Sequence, residues 1–197
     1  MTSDNVNASR RRFLIGATSV IGGAGAVGIA VPFVASWAPS AKAKAAGAPV
    51  KYNLDKVEPG AMVTVEWRGK PVYILRRTAE ILATVTKSES FLSDPTSERP
   101  QQPDYAKNEF RAINDEYLII LGVCTHLGCA PKHKPEPGSV ESKGGWIGGF
   151  FCPCHGSKFD LAGRVYKGVP APSNLVVPPH QYLSDTVVLI GDDGGAS

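Results

Sequence analysis

Two different spacings of apolar residues divide this chain. The first is a block, because Phe13 to Ala41 runs for 29 residues without a charge. About 20 mainly apolar residues cross a bilayer, so residues 13–38 are predicted to form a membrane-spanning helix. Pro32 and five glycines would weaken a soluble helix but are better tolerated in a membrane, and Trp37 near the far end suits the interface. A removable signal peptide competes with this reading, since Ala41-Lys42-Ala43 and Ala43-Lys44-Ala45 have a cleavage-like pattern. The apolar region of such a signal is usually only ~7–15 residues, so a retained anchor is expected. Gly16, Ser19, Gly23, Ala26 and Ala30 recur at spacings of three and four, a small-residue face suited to packing against another membrane helix. Residues 39–50 are small and show no apolar period, so they are predicted as a flexible hinge.

The second spacing is that of short strands. Met62–Trp67 and Pro71–Arg77, separated by Arg68-Gly69-Lys70, read as a hairpin with a glycine-containing turn. Thr78–Thr84 is predicted as a short helix capped by Thr78, and the polar, proline-containing Ser93–Pro103 as a loop. Tyr117–Val123, Trp146–Phe151 and Thr186–Ile190 are further strand candidates. No internal repeat is visible. Short strands parted by Gly/Pro turns predict a mainly β, small antiparallel head over residues 51–197, preceded by one transmembrane helix and a tether.

Composition changes this picture little. The 197 residues are 43% hydrophobic and 20% charged with a net charge of +3, which argues against wholesale disorder and gives no basic stripe for nucleic acid. Charge position says more. Arg10, Arg11 and Arg12 stand directly before the apolar block, and Ser9-Arg10-Arg11-Arg12-Phe13-Leu14 resembles a twin-arginine export signal, an address for cargo exported folded. Residues 1–12 are then a cytoplasmic segment.

All four cysteines fall in two short stretches, Cys124-Thr125-His126-Leu127-Gly128-Cys129 and Cys152-Pro153-Cys154-His155-Gly156-Ser157. A structural zinc site usually spaces its first ligand pair by two to four residues; Cys124 and His126 have one between them. Neither stretch contains the Cys-x-x-Cys of a thioredoxin-like site. Two disulfides would leave both histidines without a role, whereas one bridge plus two Cys and two His ligands uses every residue. His133 and His180 lie outside the pattern and are expected as surface or loop histidines. Lys132, Lys134, Glu136, Glu141 and Lys143 are expected as solvated loop charges.

The paired pattern resembles the signature of the Rieske iron–sulfur proteins, in which two Cys hold one iron of a 2Fe-2S cluster and two His the other. The resemblance implies that Cys124 and Cys152 bind one iron, that His126 and His155 bind the other, and that Cys129 and Cys154 form a disulfide joining the loops. That extra pair is typical of the quinol-oxidising branch. Gly168-Val169-Pro170-Ala171-Pro172 resembles the proline-rich loop that covers the cluster in this family, with Gly168, Pro170 and Pro172 as its markers. With the anchor and arginine signal, most of the chain resembles a bacterial Rieske subunit of ubiquinol–cytochrome c reductase.

The resemblance implies electron transfer from ubiquinol to a c-type cytochrome, with cytochrome b and c-type cytochrome subunits as partners in a dimeric inner-membrane complex. The head would be periplasmic, and His155 would contact the quinol and accept its proton. Ser157 matches a position whose hydroxyl tunes the cluster. Phe159 stands where tyrosine is frequent, so one tuning hydrogen bond is missing and a lower potential is expected. A Rieske-type carrier for an oxygenase or an exported oxidase is the alternative, and a structural zinc module a third reading.

Overall fold

The computed structural model describes residues 7–142 and 145–195. The chain divides into two compact units, Met1–Ala45 and Ala46–Ser197.

In the first unit α1 runs over Ala8–Ala35. It begins five residues before the predicted span, because Asn7 caps it by accepting from the Arg10 N–H (3.1 Å). The three arginines therefore lie on its first turns. Its 28 residues rise about 42 Å at 1.5 Å each, more than the ~30 Å of a hydrocarbon core. Pro32 lies inside α1, and Trp37 follows its end. The segment predicted as a hinge contains a six-residue helix, α2 (Ala41–Ala46), consistent with the high helix propensity of alanine.

The head consists of three antiparallel three-stranded sheets. β1 (Val50–Asn53) pairs with β9 (Val187–Ile190), which pairs with β8 (His180–Ser184). A second sheet has the order β2 (Met62–Trp67), β3 (Lys70–Arg76), β4 (Tyr117–Leu121). The third joins β5 (Lys132–Lys134), β6 (Gly149–Phe151) and β7 (Lys158–Phe159). The hairpin turn is tighter than predicted. Arg68 and Gly69 both have positive φ (52° and 69°), the condition for a two-residue turn that matches strand twist. Thr78 caps α3 (Ala79–Lys87) as expected, and the helix continues to Lys87.

In the β2-β3-β4 sheet the middle of β3 and all of β4 are buried on both faces, while β2 exposes Thr64 and Glu66, and side chains divide between the faces with period two. Val72, Ile74, Tyr117, Ile119 and Leu121 enter one core with Val188 and Ile190 of β9. Tyr73, Leu75, Leu118 and Ile120 enter a second core with Phe150, Phe159, Leu161, Cys124 and Cys152. The unbroken apolar run Tyr117–Leu121 follows from this position, since neither face meets water.

Several expectations need correcting. His180 is buried, 2% exposed, and not a surface or loop residue. It sits on β8 with its ring edge-on to Tyr105 (5.5 Å) and its Nδ1 against the Pro178 carbonyl (2.8 Å). His133, expected to be exposed or in a loop, is a half-buried strand residue packed on Phe150 (5.4 Å). Lys132 and Lys134 are exposed but flank it on β5, where their own register partners are Phe151 and Gly149. Glu136 and Glu141 are exposed outside the strands, whereas Lys143 lies outside the described residues.

Gly122 ends β4 against the flat of Tyr73, where a methyl group would overlap the ring. Gly122→Ala is therefore expected to cost about 1–3 kcal/mol. That should lower the thermal midpoint by several degrees in calorimetry of the extracted protein; an unchanged midpoint would contradict this packing.

Candidate metal centre

The two Cys/His stretches are loops of the same backbone design. In the first, the Cys124 N–H donates to the Cys129 carbonyl (2.7 Å) and the Gly128 N–H to the Cys124 carbonyl (2.9 Å). In the second, the Cys152 N–H donates to the Ser157 carbonyl (2.8 Å) and the Gly156 N–H to the Cys152 carbonyl (3.0 Å). Each loop turns through a fifth-position glycine with positive φ, 86° at Gly128 and 76° at Gly156, a conformation costly for any residue with a Cβ. One loop extends from β4 and the other from β6.

This geometry brings the expected donors together. Cys124 and Cys152 are buried, each 2% exposed, and neither is in a disulfide. Both belong to one apolar core, and the sulfur of Cys152 lies within 4.8 Å of those of Cys129 and Cys154. His126 is half-buried and His155 exposed, with ring centroids 4.8 Å apart at an interplanar angle of 90°. Cys129 and Cys154 form a disulfide across the loop tips, Cα to Cα 6.7 Å. Two soft thiols inside and two imidazoles outside fit a two-iron cluster with mixed ligands. Burial pushes the Cys124 thiol up, and the Ser157 hydroxyl opposes that by favouring the thiolate. A buried thiol gives up its proton readily only to a cation that replaces it.

The covering loop is tied to both cluster loops. The Ser157 hydroxyl, fully buried, accepts from the Ala171 N–H (3.0 Å). The Thr125 hydroxyl donates to the Ser173 carbonyl (2.6 Å). Arg99 donates to the Pro172 carbonyl from outside. Gly168, with φ 69°, turns the chain into the loop, while Pro170 and Pro172 are exposed on it. Phe159 is fully buried on β7 opposite Phe150 and carries no hydroxyl to offer the site.

Three supporting residues escape a sequence reading. Tyr73, from the central sheet, donates its hydroxyl to the Pro131 carbonyl (2.9 Å) just beyond the first loop. Asn174 closes the base of the covering loop by accepting from the Val165 N–H (2.8 Å). Asp160 follows Phe159 and accepts from Arg164 Nε (2.8 Å) and the Ser88 hydroxyl (2.9 Å). An Asn beside prolines is the one local hint among them; the others are ordinary strand and turn residues.

The chain is similar to known proteins. The family described as "Rieske [2Fe-2S] domain" matches residues 99–179, and that described as "Ubiquitinol-cytochrome C reductase Fe-S subunit TAT signal" matches residues 1–40. The ubiquinol-cytochrome c reductase iron-sulfur subunit of Allochromatium vinosum is 56% identical over all of this chain and 95% of that protein. That of Blastochloris viridis is 42% identical over 96% of this chain and 97% of the other. That of Rhodospirillum rubrum is 40% identical over 93% and 92%.

Thr125→Val removes one hydrogen bond worth about 1 kcal/mol and frees the covering loop from the first cluster loop. Faster amide exchange at residues 168–173 is expected, with Thr125→Ser restoring protection. Equal protection in all three forms would show that the hydroxyl does not hold the loop.

Proposed function

The chain belongs to the family of ubiquinol–cytochrome c reductase iron–sulfur subunits, and on that premise we propose how its residues divide the work. It is a subunit of an oxidoreductase complex, carries a Rieske 2Fe-2S cluster, and is membrane-anchored through its N-terminal apolar helix. When bound, that cluster supplies a one-electron acceptor in the roughly −150 to +300 mV range, because neutral imidazoles replace two thiolates. The observation that supports the assignment is a pair of imidazoles 4.8 Å apart on two disulfide-bridged loops, each of which also carries one buried free thiol.

In this reading Cys124 and Cys152 hold the inner iron, while His126 and His155 hold the outer one. His155 is the exposed member of the pair. With one ring nitrogen given to the metal, its other nitrogen would be free to accept a hydrogen bond from the ubiquinol hydroxyl and take its proton. Leu127 stands 71% exposed in the same loop as His126, giving the quinol ring an apolar edge. Ser157 donates toward the inner sulfur and favours its charged form. The Cys129–Cys154 bridge braces loops that have little apolar burial of their own.

The N-terminal part supplies the setting. Arg10, Arg11 and Arg12 on the first turns of α1 keep that end cytoplasmic, which leaves the head on the periplasmic side of the inner membrane. A disulfide suits that oxidising compartment. The cytochrome b subunit takes the small-residue face of α1, and residues 39–50 tether a head that delivers its electron to a c-type cytochrome subunit within a dimeric complex. Against the alternative of an oxygenase or oxidase carrier stand the anchor and the bridged cysteine pair.

Substituting Cys152 by Ser or His155 by Ala should abolish both the Rieske electron paramagnetic resonance signal and ubiquinol-dependent cytochrome c reduction in membranes. Quinol oxidation that persists without the signal would remove this chain from the reaction. Phe159→Tyr adds a phenol hydroxyl beside the site; at ~1 kcal/mol the midpoint should rise by about 40 mV, scaled from about 59 mV per tenfold change for one electron. An unchanged or lowered midpoint would show that the hydroxyl makes no such bond.

A further inference from the structure

Three guanidinium groups are buried in the head: Arg77, Arg111 and Arg164, at 3%, 0% and 0% exposure. Arg164 is neutralised by Asp160, with Nη2 to Oδ2 at 2.8 Å. Arg77 donates to the carbonyls of Asp115 and Phe110 and follows the end of β3 that pairs with Tyr117, at the opposite end of β4 from Cys124. Arg111 shares with Arg77 a set of carbonyl partners, but it lies beside Gly163, Ile120 and Leu175, against the core that holds Cys124 and Cys152. Its Nη1 donates to the carbonyls of Ala162 (3.2 Å) and Gly163 (3.3 Å), and its Nη2 to the carbonyl of Leu175 (2.6 Å) and Oε1 of Gln102 (3.0 Å). Its Nε has no acceptor. Among the described residues no carboxylate is in ion-pair contact with it.

A buried charge without a counterion is expensive. Burial lowers the Arg111 pKa to about 10, the charge of Asp160, which is paired with Arg164, opposing that from a distance, so the group keeps its proton at neutral pH. The cost is tolerated where the charge sits. The carbonyls it grips belong to the two stems of the covering loop, which are also joined by the Leu175 N–H donating to the Gly163 carbonyl (2.8 Å). Ala162 and Leu175 share one apolar core with Cys124 and Cys152. Water is excluded from that core, so the field of a fixed cation is weakly screened there.

We infer that Arg111 is a positioning residue that also sets the potential of the metal centre: a cation with no carboxylate in contact, held by backbone carbonyls at the edge of the core that contains Cys124 and Cys152, that favours the reduced cluster. The inference rests on the assignment of Cys124, Cys152, His126 and His155 as ligands. Adding an electron makes the centre more negative, and a fixed positive charge bordering the same water-excluded core stabilises that state. Carbonyl partners suit this role where a carboxylate would not, because they hold the guanidinium without cancelling its charge.

The test is a redox titration of the full-length protein in native membranes, followed by electron paramagnetic resonance at one pH near neutrality. Arg111→Met removes the charge and should shift the reduction equilibrium about tenfold toward the oxidised form, about 59 mV for one electron. Arg111→Lys keeps the charge and should stay within threefold of the parent. Gln102→Glu leaves the guanidinium in place but gives it a carboxylate, which its neighbour keeps ionised; the midpoint should fall, with an unaltered line shape. A parent-like midpoint in both Arg111→Met and Gln102→Glu overturns the inference, as does a fall in Arg111→Lys as large as in Arg111→Met. If Arg111→Met does not assemble a centre, Gln102→Glu decides alone. Loss of the ligand assignment itself would look different, since the parent protein would then show no Rieske signal to titrate.

Discussion

Donor atoms that must meet both iron and a quinol cannot be sunk in a core, so the loops that carry them need another source of rigidity. In this head the source is the bridge between Cys129 and Cys154, backed by hydrogen bonds within each loop. The pairing also sets chemical roles. By occupying two of four sulfurs at the loop tips, it leaves two buried thiols and two outer rings free to serve as the proposed donors.

The rest of the head supports that arrangement from one side. The β2-β3-β4 sheet presents one face to the core shared with β9 and the other to the core beneath the loops. Tyr73 lies on the second face and reaches the first loop, while Gly122 makes room for its ring. The covering loop is fixed at its tip by Thr125 and Ser157 and at its base by Asn174 and Arg111. Polar ties dominate here because the loop has few apolar side chains to bury. Such ties are strong only where water is excluded, which explains why so many of these groups are fully buried.

How much of this is legible in the sequence depends on whether a neighbour in the chain or one in space decides the outcome. The anchor, the hairpin and β4 are legible because each is a continuous apolar or alternating run. The cluster loops are legible because ligand spacing is itself local. By contrast, β5 and β7 are three and two residues long, too short for a period to show, and β5 reads as Lys132-His133-Lys134. His180 looks like a surface residue until Tyr105, 75 positions earlier, covers it. Arg111 stands in a polar stretch, and its carbonyl partners lie 51 to 64 positions further on. Nothing in its immediate neighbourhood marks it as buried.

In the proposed function the exposed His155 couples electron transfer from a quinol to proton transfer. The most direct measurement is the midpoint potential of the centre in native membranes as a function of pH. A positive midpoint that falls as pH rises is expected, since a centre that takes up a proton together with its electron is harder to reduce where protons are scarce. A clearly negative midpoint that does not change with pH would contradict it and leave a simple electron carrier in its place.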